Sequence, residues 1–518
     1  MSKFTLTLLD TTGIQGYIFA SNRLQENIGA SELVYRATTL WAFKALAEVV
    51  GEAHNIENPD SLDWDYKKDT AIEQDASLQA EVIQAAGGNT LVLFREKGDA
   101  LAFVEALTLR LLKDAPGLTV LAQHIAFDFA GDNLYDARKT LEGKMRGHKQ
   151  TWPGHAATLG LGVTAICEST GLPAVTGLDG DNAGTLVSAE VAAKRNFSQA
   201  ANKRLDALLK PASDTYIYPF DLDKIGREHG EESYIAVVHA DGNRMGQAVA
   251  GLAEGKPNRE YIKEIRAFSK KINTISLAAL SRVVALVVQA VERDAIPSVV
   301  EGGKKFLPLR PLVFGGDDVT FVCNGKIALE LASIYLETFH AEAEKHGLDL
   351  HASAGVSVVK LHYQFARAYE LAEELISSAK SLTRGDTNCS ALDWHFAQSG
   401  LSGSLEHIRK REYCAENGNF LYRRPLTLEE WGRVEDVIYK FKDENKWARN
   451  KVFGLREPLR KGAAAVEKYR QDFQLPKLPE IAGEEAQTTG WADGKCYYFD
   501  SIELLDHYVA LKNEEARK

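Results

Sequence analysis

Leu312-Val-Phe-Gly-Gly-Asp-Asp-Val-Thr-Phe-Val322 is an apolar run, a Gly-Gly-Asp-Asp turn and a second β-rich run. Two short strands joined through glycines make a hairpin, because glycine adopts backbone conformations that other residues resist. The turn carries two adjacent carboxylates, Asp317 and Asp318. Acids gathered at the end of buried strands repel each other and lose hydration, and a divalent cation relieves both costs. For a motif this short, an ordinary solvated turn is the competing interpretation.

A second strand that ends in an acid changes that balance. Tyr234-Ile-Ala-Val-Val-His-Ala240 runs directly into Asp241-Gly-Asn-Arg-Met-Gly246. A strand delivering one carboxylate beside a hairpin delivering two is the arrangement by which palm-type cyclases and polymerases hold two metal ions. Between them, residues 261–291 carry Ile272, Ile275, Ala279, Leu280, Val283, Leu286, Val287 and Val291 near the helical period. After the hairpin the pattern predicts a helix over 326–345, a strand over 348–359 and a helix over 365–382. Strand, helix, hairpin, helix, strand is the ferredoxin-like palm order. Asp241, with one or both of Asp317 and Asp318, is expected to hold two Mg²⁺ or Mn²⁺ ions. One would lower the pKa of an attacking ribose hydroxyl and the other would bridge a triphosphate. The loop Gly242, Asn243, Arg244, Met245 and Gly246 is expected to turn backbone N–H groups toward phosphates, with Gly315 and Gly316 shaping the hairpin turn. His239, beside the acid, is expected to pack under its strand.

These blocks resemble the large polymerase/cyclase subunit of type III CRISPR effector complexes, the Csm or Cmr large subunit. The resemblance rests on Asp241-Gly-Asn-Arg-Met-Gly246, on Gly315-Gly-Asp-Asp318, and on Ser353-Ala-Gly-Val-Ser-Val-Val359 with Ala366-Arg-Ala-Tyr-Glu-Leu-Ala372 and Ala379-Lys380 behind it. It implies ATP as substrate and cyclic oligoadenylate as product. It implies that Lys380 neutralises the triphosphate, and Ser269 or Ser353 is the candidate for a hydrogen bond to adenine. Other type III subunits with guide and target RNA are the partners it implies. Members of that family with DNase activity begin with an HD nuclease domain; this chain has no His-Asp dipeptide, so no DNase activity of that kind is expected.

Residues 1–166 read as a degenerate first copy of the palm. The first strand reaches Asp10, then come Thr11-Thr-Gly-Ile-Gln-Gly-Tyr-Ile-Phe19 and Gly29-Ala-Ser-Glu-Leu-Val-Tyr35, with Ser31 as an expected helix N-cap. Gly87-Gly-Asn-Thr90 aligns with Gly315-Gly-Asp-Asp318. Neutral side chains are poor Mg²⁺ ligands, so this copy is expected to bind nucleotide without the metal chemistry. Two palms in one chain would supply intramolecularly the face-to-face pairing that related cyclases obtain from two chains.

Hydrophobic content of 45% and charged content of 26% describe an ordinary globular composition. A net charge of −11 argues against a non-specific nucleic-acid binder, which needs surplus Lys and Arg. The cysteines 167, 323, 389, 414 and 496 form no Cys-x-x-Cys pair, so neither a disulfide framework nor a structural zinc cluster is expected, and a cytoplasmic location is. The N-terminus lacks a signal-peptide pattern, and no uninterrupted apolar run reaches the ~20 residues of a membrane span. Residues 52–80 read as a polar surface insertion, and 177–184 as a glycine-rich turn rather than a calcium loop. A helix is expected over 187–209. Further helices are expected over 405–411, over 427–443 with a Thr427/Glu430 capping box, over 447–472 with a break at Pro458, and over 501–511.

The sequence therefore predicts an α+β protein of two ferredoxin-like palms with helical middle and C-terminal domains. Its divisions are 1–166 (degenerate palm), 167–230 (middle), 231–397 (catalytic palm) and 398–518 (helical). The expected activity is a metal-dependent nucleotidyl cyclase converting ATP to cyclic oligoadenylate. The alternatives are a non-catalytic scaffold subunit of an RNA-guided complex, or a cyclase making a cyclic dinucleotide. A diguanylate cyclase is disfavoured, since that family has Glu-Phe where this hairpin has its second Asp.

Overall fold

Phe4, Leu6 and Leu8 alternate with Thr5 and Thr7, a period of two that lays one side of a strand against a core. The computed structural model describes residues 3–86, 88–152, 154, 160–178, 183–211, 213–226, 233–384, 388–397, 403–416 and 418–511. The turn expected at 177–184 lies partly outside them. By contacts the chain divides into two units. One comprises residues 1–210, 244–277 and 312–318, the other 211–243, 278–311 and 319–518.

The first unit holds strand β1 (Lys3–Thr12), helix α1 (Ile14–Phe19), helix α2 (Leu24–Thr38), strands β2 (Ala80–Ala86) and β3 (Asn89–Phe94), helix α3 (Lys97–Asp114), strand β4 (Thr119–Asp128), helix α4 (Leu134–Thr151) and helix α5 (Ala189–Leu209). The sheet order is β2-β3-β1-β4, antiparallel throughout. Phe4, Leu6, Leu8, Leu91, Leu93, Leu121 and Phe127 face a core closed by Leu134, Leu141 and Met145 of α4 and by Tyr261, Ile262 and Ile265. Gly29 lets α2 meet α5 backbone to backbone: a Cβ there would lie 1.6 Å from the Lys194 carbonyl oxygen. Ser31 is not an N-cap. It sits in the middle of α2, and its hydroxyl donates to the Leu312 carbonyl at 2.5 Å.

Residues 52–80 are more than an insertion. Ile56–Glu57 pairs with Asp65–Tyr66, Ile72 and Leu78 enter the core, and the buried Asn55 amide both donates to and accepts from the Val82 backbone, at 3.0 and 2.7 Å. Their buried anchors are too widely spaced to produce a period, which is why the sequence pattern hid them.

The second unit is built on strands β5 (Tyr234–Gly242), β6 (Leu309–Val313), β7 (Val319–Asn324), β8 (Ala352–Lys360) and β9 (Ala391–Ala397). Helix α6 (Met245–Ala253) and the long α7 (Asn258–Glu292) follow β5; helices α8 (Ala328–Lys345) and α9 (Phe365–Ser381) flank β8 in sequence. The order is β6-β7-β5-β8-β9, extended by the short strand Leu426–Thr427. Its first four strands repeat the connectivity of the first sheet: in each, the strand bearing the acid lies between the hairpin's second arm and the strand that follows the next helix. Residues 258–277 of α7 cluster with the first unit and 278–292 with the second. By length and composition α7 is long and apolar enough to cross a membrane, which the sequence expectation did not allow for. Its apolar residues are instead used in packing: Ile275, Ala279, Leu280, Val283 and Val287 are fully buried.

The helix Leu428–Phe441 is closed at its start by the expected capping box, Thr427 with Glu430. The helix expected over 447–472 is three pieces, Arg449–Gly454, Arg456–Lys461 and Ala463–Asp472. It breaks at Leu455 and at Gly462, whose φ is +102°, rather than at Pro458. Pro458 lies in the first turn of the middle piece, where a helix has no internal use for the missing N–H. Among the described residues the last helix is Phe499–Leu504, shorter and earlier than 501–511.

Candidate functional site

β5 carries the first acid to the end of its ladder. Asp241 pairs with Ser353 and Gly242 with Ala352, the last register partners on that side. The next residue, Asn243, is buried and ties the strand ends together. Its N–H donates to the His351 carbonyl at 2.8 Å, its side-chain amide donates to the Cys389 carbonyl at 3.0 Å, and its Oδ1 accepts from the Ser353 hydroxyl at 3.0 Å. Arg244 then takes a left-handed conformation, φ +56°, and α6 starts at Met245. A helix leaves the first-turn N–H groups, here those of Met245 and Gly246, without intrahelical partners.

The Asp241 carboxylate is about one-third exposed, and its Oδ2 is ion-paired with Lys380 Nζ near the end of α9. On the other side of β5, the ladder with β7 ends at Ala240 and Val319. The next residue outward is Asp241 on one strand and Asp318 on the other. Gly315 and Gly316 both have φ +101°, a region that L side chains avoid, so the turn requires both glycines. Asp317 is half-buried and Asp318 exposed.

His239 is packed under the strand, as expected from sequence. It is 6% exposed, its Nδ1 lies 3.0 Å from the Thr320 hydroxyl, and its Nε2 lies 3.3 Å from Glu373 Oε1. Burial holds its pKa below the ordinary value, with Lys380 acting in the same direction and Glu373 and Asp241 pulling upward. Of the two candidate serines, Ser353 is fully buried with its hydroxyl committed to Asn243. Ser269 belongs to the first unit, where it accepts from the Gln84 side chain at 3.3 Å.

The first unit repeats the acid and its surroundings. Asp10 ends the core of β1, and three residues later Gly13, φ +65°, opens α1, the same interval that separates Asp241 from Arg244. Lys149, near the end of α4, lies 2.8 Å from Asp10 Oδ2 and 3.4 Å from the Thr11 carbonyl. Asp10 faces Asn89 across the ladder. The register thus puts Asn89 at the place of Asp318, one residue away from the motif alignment. Thr90 is inside the strand, buried, its hydroxyl donating to the Thr38 carbonyl at 2.5 Å. Sequence reading had missed Lys149; the matching helix-end position of Lys380 is the signal that would have found it.

Residues 234–388 match the family model for the second palm domain of Cas10/Cmr2. That segment is similar to a Cas10/Cmr2 palm domain. Its matched span begins at the first residue of β5 and ends just before β9, and so includes both acid-bearing strand ends. In fold, the whole chain is similar to Csm1 structures. One is a Csm1–Csm4 cassette in complex with pppApApA, at 15% identity and TM-score 0.54, covering 97% of this chain and 69% of that one. Another is the cassette with one ATP, at 14% identity and TM-score 0.54, covering 98% and 70%. Csm1 of T. onnurineus gives 14% identity and TM-score 0.50 over 97% and 69%. A separate sequence similarity, 29% identity over 133 residues, joins 25% of this chain to 13% of the alanine–tRNA ligase of Bradyrhizobium diazoefficiens. So small a share of the ligase carries no inference about activity.

Proposed function

We propose that this chain is a metal-dependent nucleotidyl cyclase that converts ATP to cyclic oligoadenylate within a type III CRISPR effector. The observation that carries this reading is the end of the β5 ladder in the Cas10/Cmr2 palm. Asp241 and Asp318 are the next residues beyond the last ladder pair, and Asp317 precedes Asp318 in the chain. Solved Csm1–Csm4 cassettes of the same fold hold ATP and pppApApA, which supports ATP as substrate and a Csm4-like subunit as partner.

The donor set fits Mg²⁺ or Mn²⁺: three carboxylates and nearby backbone carbonyls are hard oxygen ligands, and none of the three acids is fully buried. Asp241, Asp317 and Asp318 would hold two such ions. When bound, they would acidify a ribose hydroxyl and neutralise charge on the triphosphate. The chain's own part is positioning. Asn243 fixes the residue after Asp241, Arg244 turns the backbone into α6, and the first-turn N–H groups at Met245 and Gly246 are available to phosphate oxygens. Lys380 supplies a cation beside Asp241 and would move from that carboxylate to a phosphate. The bond formed joins the ribose oxygen to the α-phosphorus, the bond broken releases pyrophosphate, and the hydroxyl proton passes to solvent. The first palm, with Asn89 in place of an acid, would hold the second nucleotide without metal chemistry.

The test is incubation of the full chain, alone and with its co-purified complex and target RNA, with each NTP and Mg²⁺ or Mn²⁺, followed by mass spectrometry. Cyclic adenylate lost in Asp317→Ala/Asp318→Ala is the expected result. No product under any condition would favour the scaffold interpretation.

A further inference from the structure

Behind the Asp241 loop, the turn between α8 and β8 gathers three side chains that the nucleotide chemistry does not use. One ligand atom from each of His340, Asp349 and His351 lies within 4.8 Å of the others. His340 stands near the end of α8, and Asp349 and His351 immediately precede β8. The two imidazoles stack, with centroids 3.9 Å apart and planes 18° from parallel.

The outer nitrogens of both rings are already held. His340 Nδ1 lies 3.0 Å from the Leu350 carbonyl. A carbonyl only accepts, so Nδ1 carries the hydrogen and Nε2 keeps its lone pair. His351 Nδ1 is 3.3 Å from the Ser390 hydroxyl, and its Nε2 is 3.4 Å from Asp349 Oδ1. The Asp349 carboxylate is itself oriented by the Asn388 amide at 2.9 Å. Metal-binding histidines are typically fixed in this way, through the nitrogen that does not face the ion. Glu344, one helical turn beyond His340, lies 3.8 Å from His340 Nε2 and is a carboxylate within reach of a fourth position.

We propose that His340, Asp349 and His351 bind a divalent ion of the zinc class. Two imidazoles and a carboxylate suit Zn²⁺ better than Mg²⁺, which favours oxygen ligands and keeps its waters. Ligation at about 2.1 Å requires the carboxylate to close in on the two fixed rings. Asp349, three-quarters exposed, is free to make that movement. The ion would brace the α8–β8 turn, whose His351 carbonyl receives the N–H of Asn243. It is therefore a structural site adjoining the acid-bearing loop, and separate from the Asp241 carboxylate.

The full chain, stripped with chelator and then dialysed, is titrated with Zn²⁺ and its metal content measured by elemental analysis after gel filtration. Expected are one equivalent retained per chain, its loss in His340→Gln/His351→Gln, and binding weakened by at least ~10-fold in Ser390→Ala, which alters only the group behind His351. Asp349→Asn, at an exposed position, keeps the test valid if the double variant does not fold, and is also expected to bind more weakly. No retained ion in the wild type, or unchanged affinity in Asp349→Asn and His340→Gln, would overturn the proposal. So would loss of the ion in Cys389→Ser/Cys414→Ser with the histidines intact.

Discussion

Lys380 closes an ion pair on Asp241 where β5 ends, and the first unit builds the same pair from Lys149 and Asp10. In each case a lysine late in a helix meets the last acid of a central strand. All four side chains are about a quarter to a third exposed, so neither pair contributes more than about 1 kcal/mol to stability. Their recurrence calls for a role other than folding.

Replacing Lys380 by Ala is therefore expected to shift the thermal midpoint by no more than ~4 °C. Product formation from ATP should fall by at least ~10-fold, the order of one charge-assisted contact to phosphate. Paired melting curves and initial rates test this, and a loss of stability matching the loss of rate would contradict it.

The two acids should differ in kind. Asp241→Asn removes a proposed metal ligand and is expected to eliminate cyclic product. Asp10 faces the neutral Asn89 across the ladder and pairs with Lys149, so Asp10→Asn should leave product formation in place with a raised KM for ATP. Equal inactivity of the two variants would count against a non-catalytic first palm.

Two motif glycines are fixed by packing rather than chemistry. A Cβ on Gly355 would lie 2.2 Å from the Ala372 carbonyl oxygen and 2.5 Å from the Ile376 nitrogen, so β8 and α9 touch through this residue. Gly29 has the equivalent constraint against Lys194. Gly355→Ala and Gly29→Ala should each cost about 3 kcal/mol, read as a lowered urea midpoint with an unchanged slope.

His395 gives the second unit a definable acid sensitivity. It is 4% exposed, and burial first, then Arg424 and Arg409, pushes its pKa down to about 3 against a weaker upward pull from Glu503. The folded state keeps the ring neutral while the unfolded chain protonates near 6.5. The stabilisation is thus complete above pH 6.5 and is lost as pH falls toward 3, by as much as ~4 kcal/mol. His395→Phe should flatten the dependence of urea stability on pH between 6.5 and 4.

Much of the second palm was legible because its signals are local. The apolar β-rich run in Tyr234–Gly242, the helical period of 261–291, the capping box at Thr427 and the paired glycines at 315 and 316 each act over a few residues. The acids were legible for the same reason, since a carboxylate after a strand and two after a glycine turn are visible without any partner. The anchoring of residues 52–80, the place of Ser31 inside α2 and the committed hydroxyl of Ser353 depend on groups far away in the chain, and periodicity contains no trace of them.

The sequence by itself determined the order of strands and helices, the glycine-dependent turn and the set of acids, because these follow from backbone conformation and side-chain chemistry at each position. Tertiary structure alone decided the register that sets Asn89, and not Thr90, opposite Asp10. It also decided the pairing of Lys149 with Asp10 and the meeting of His340 with Asp349 and His351. A ladder can slip by one residue without altering local propensity, and a contact between distant side chains exists only once the sheet and its helices have packed.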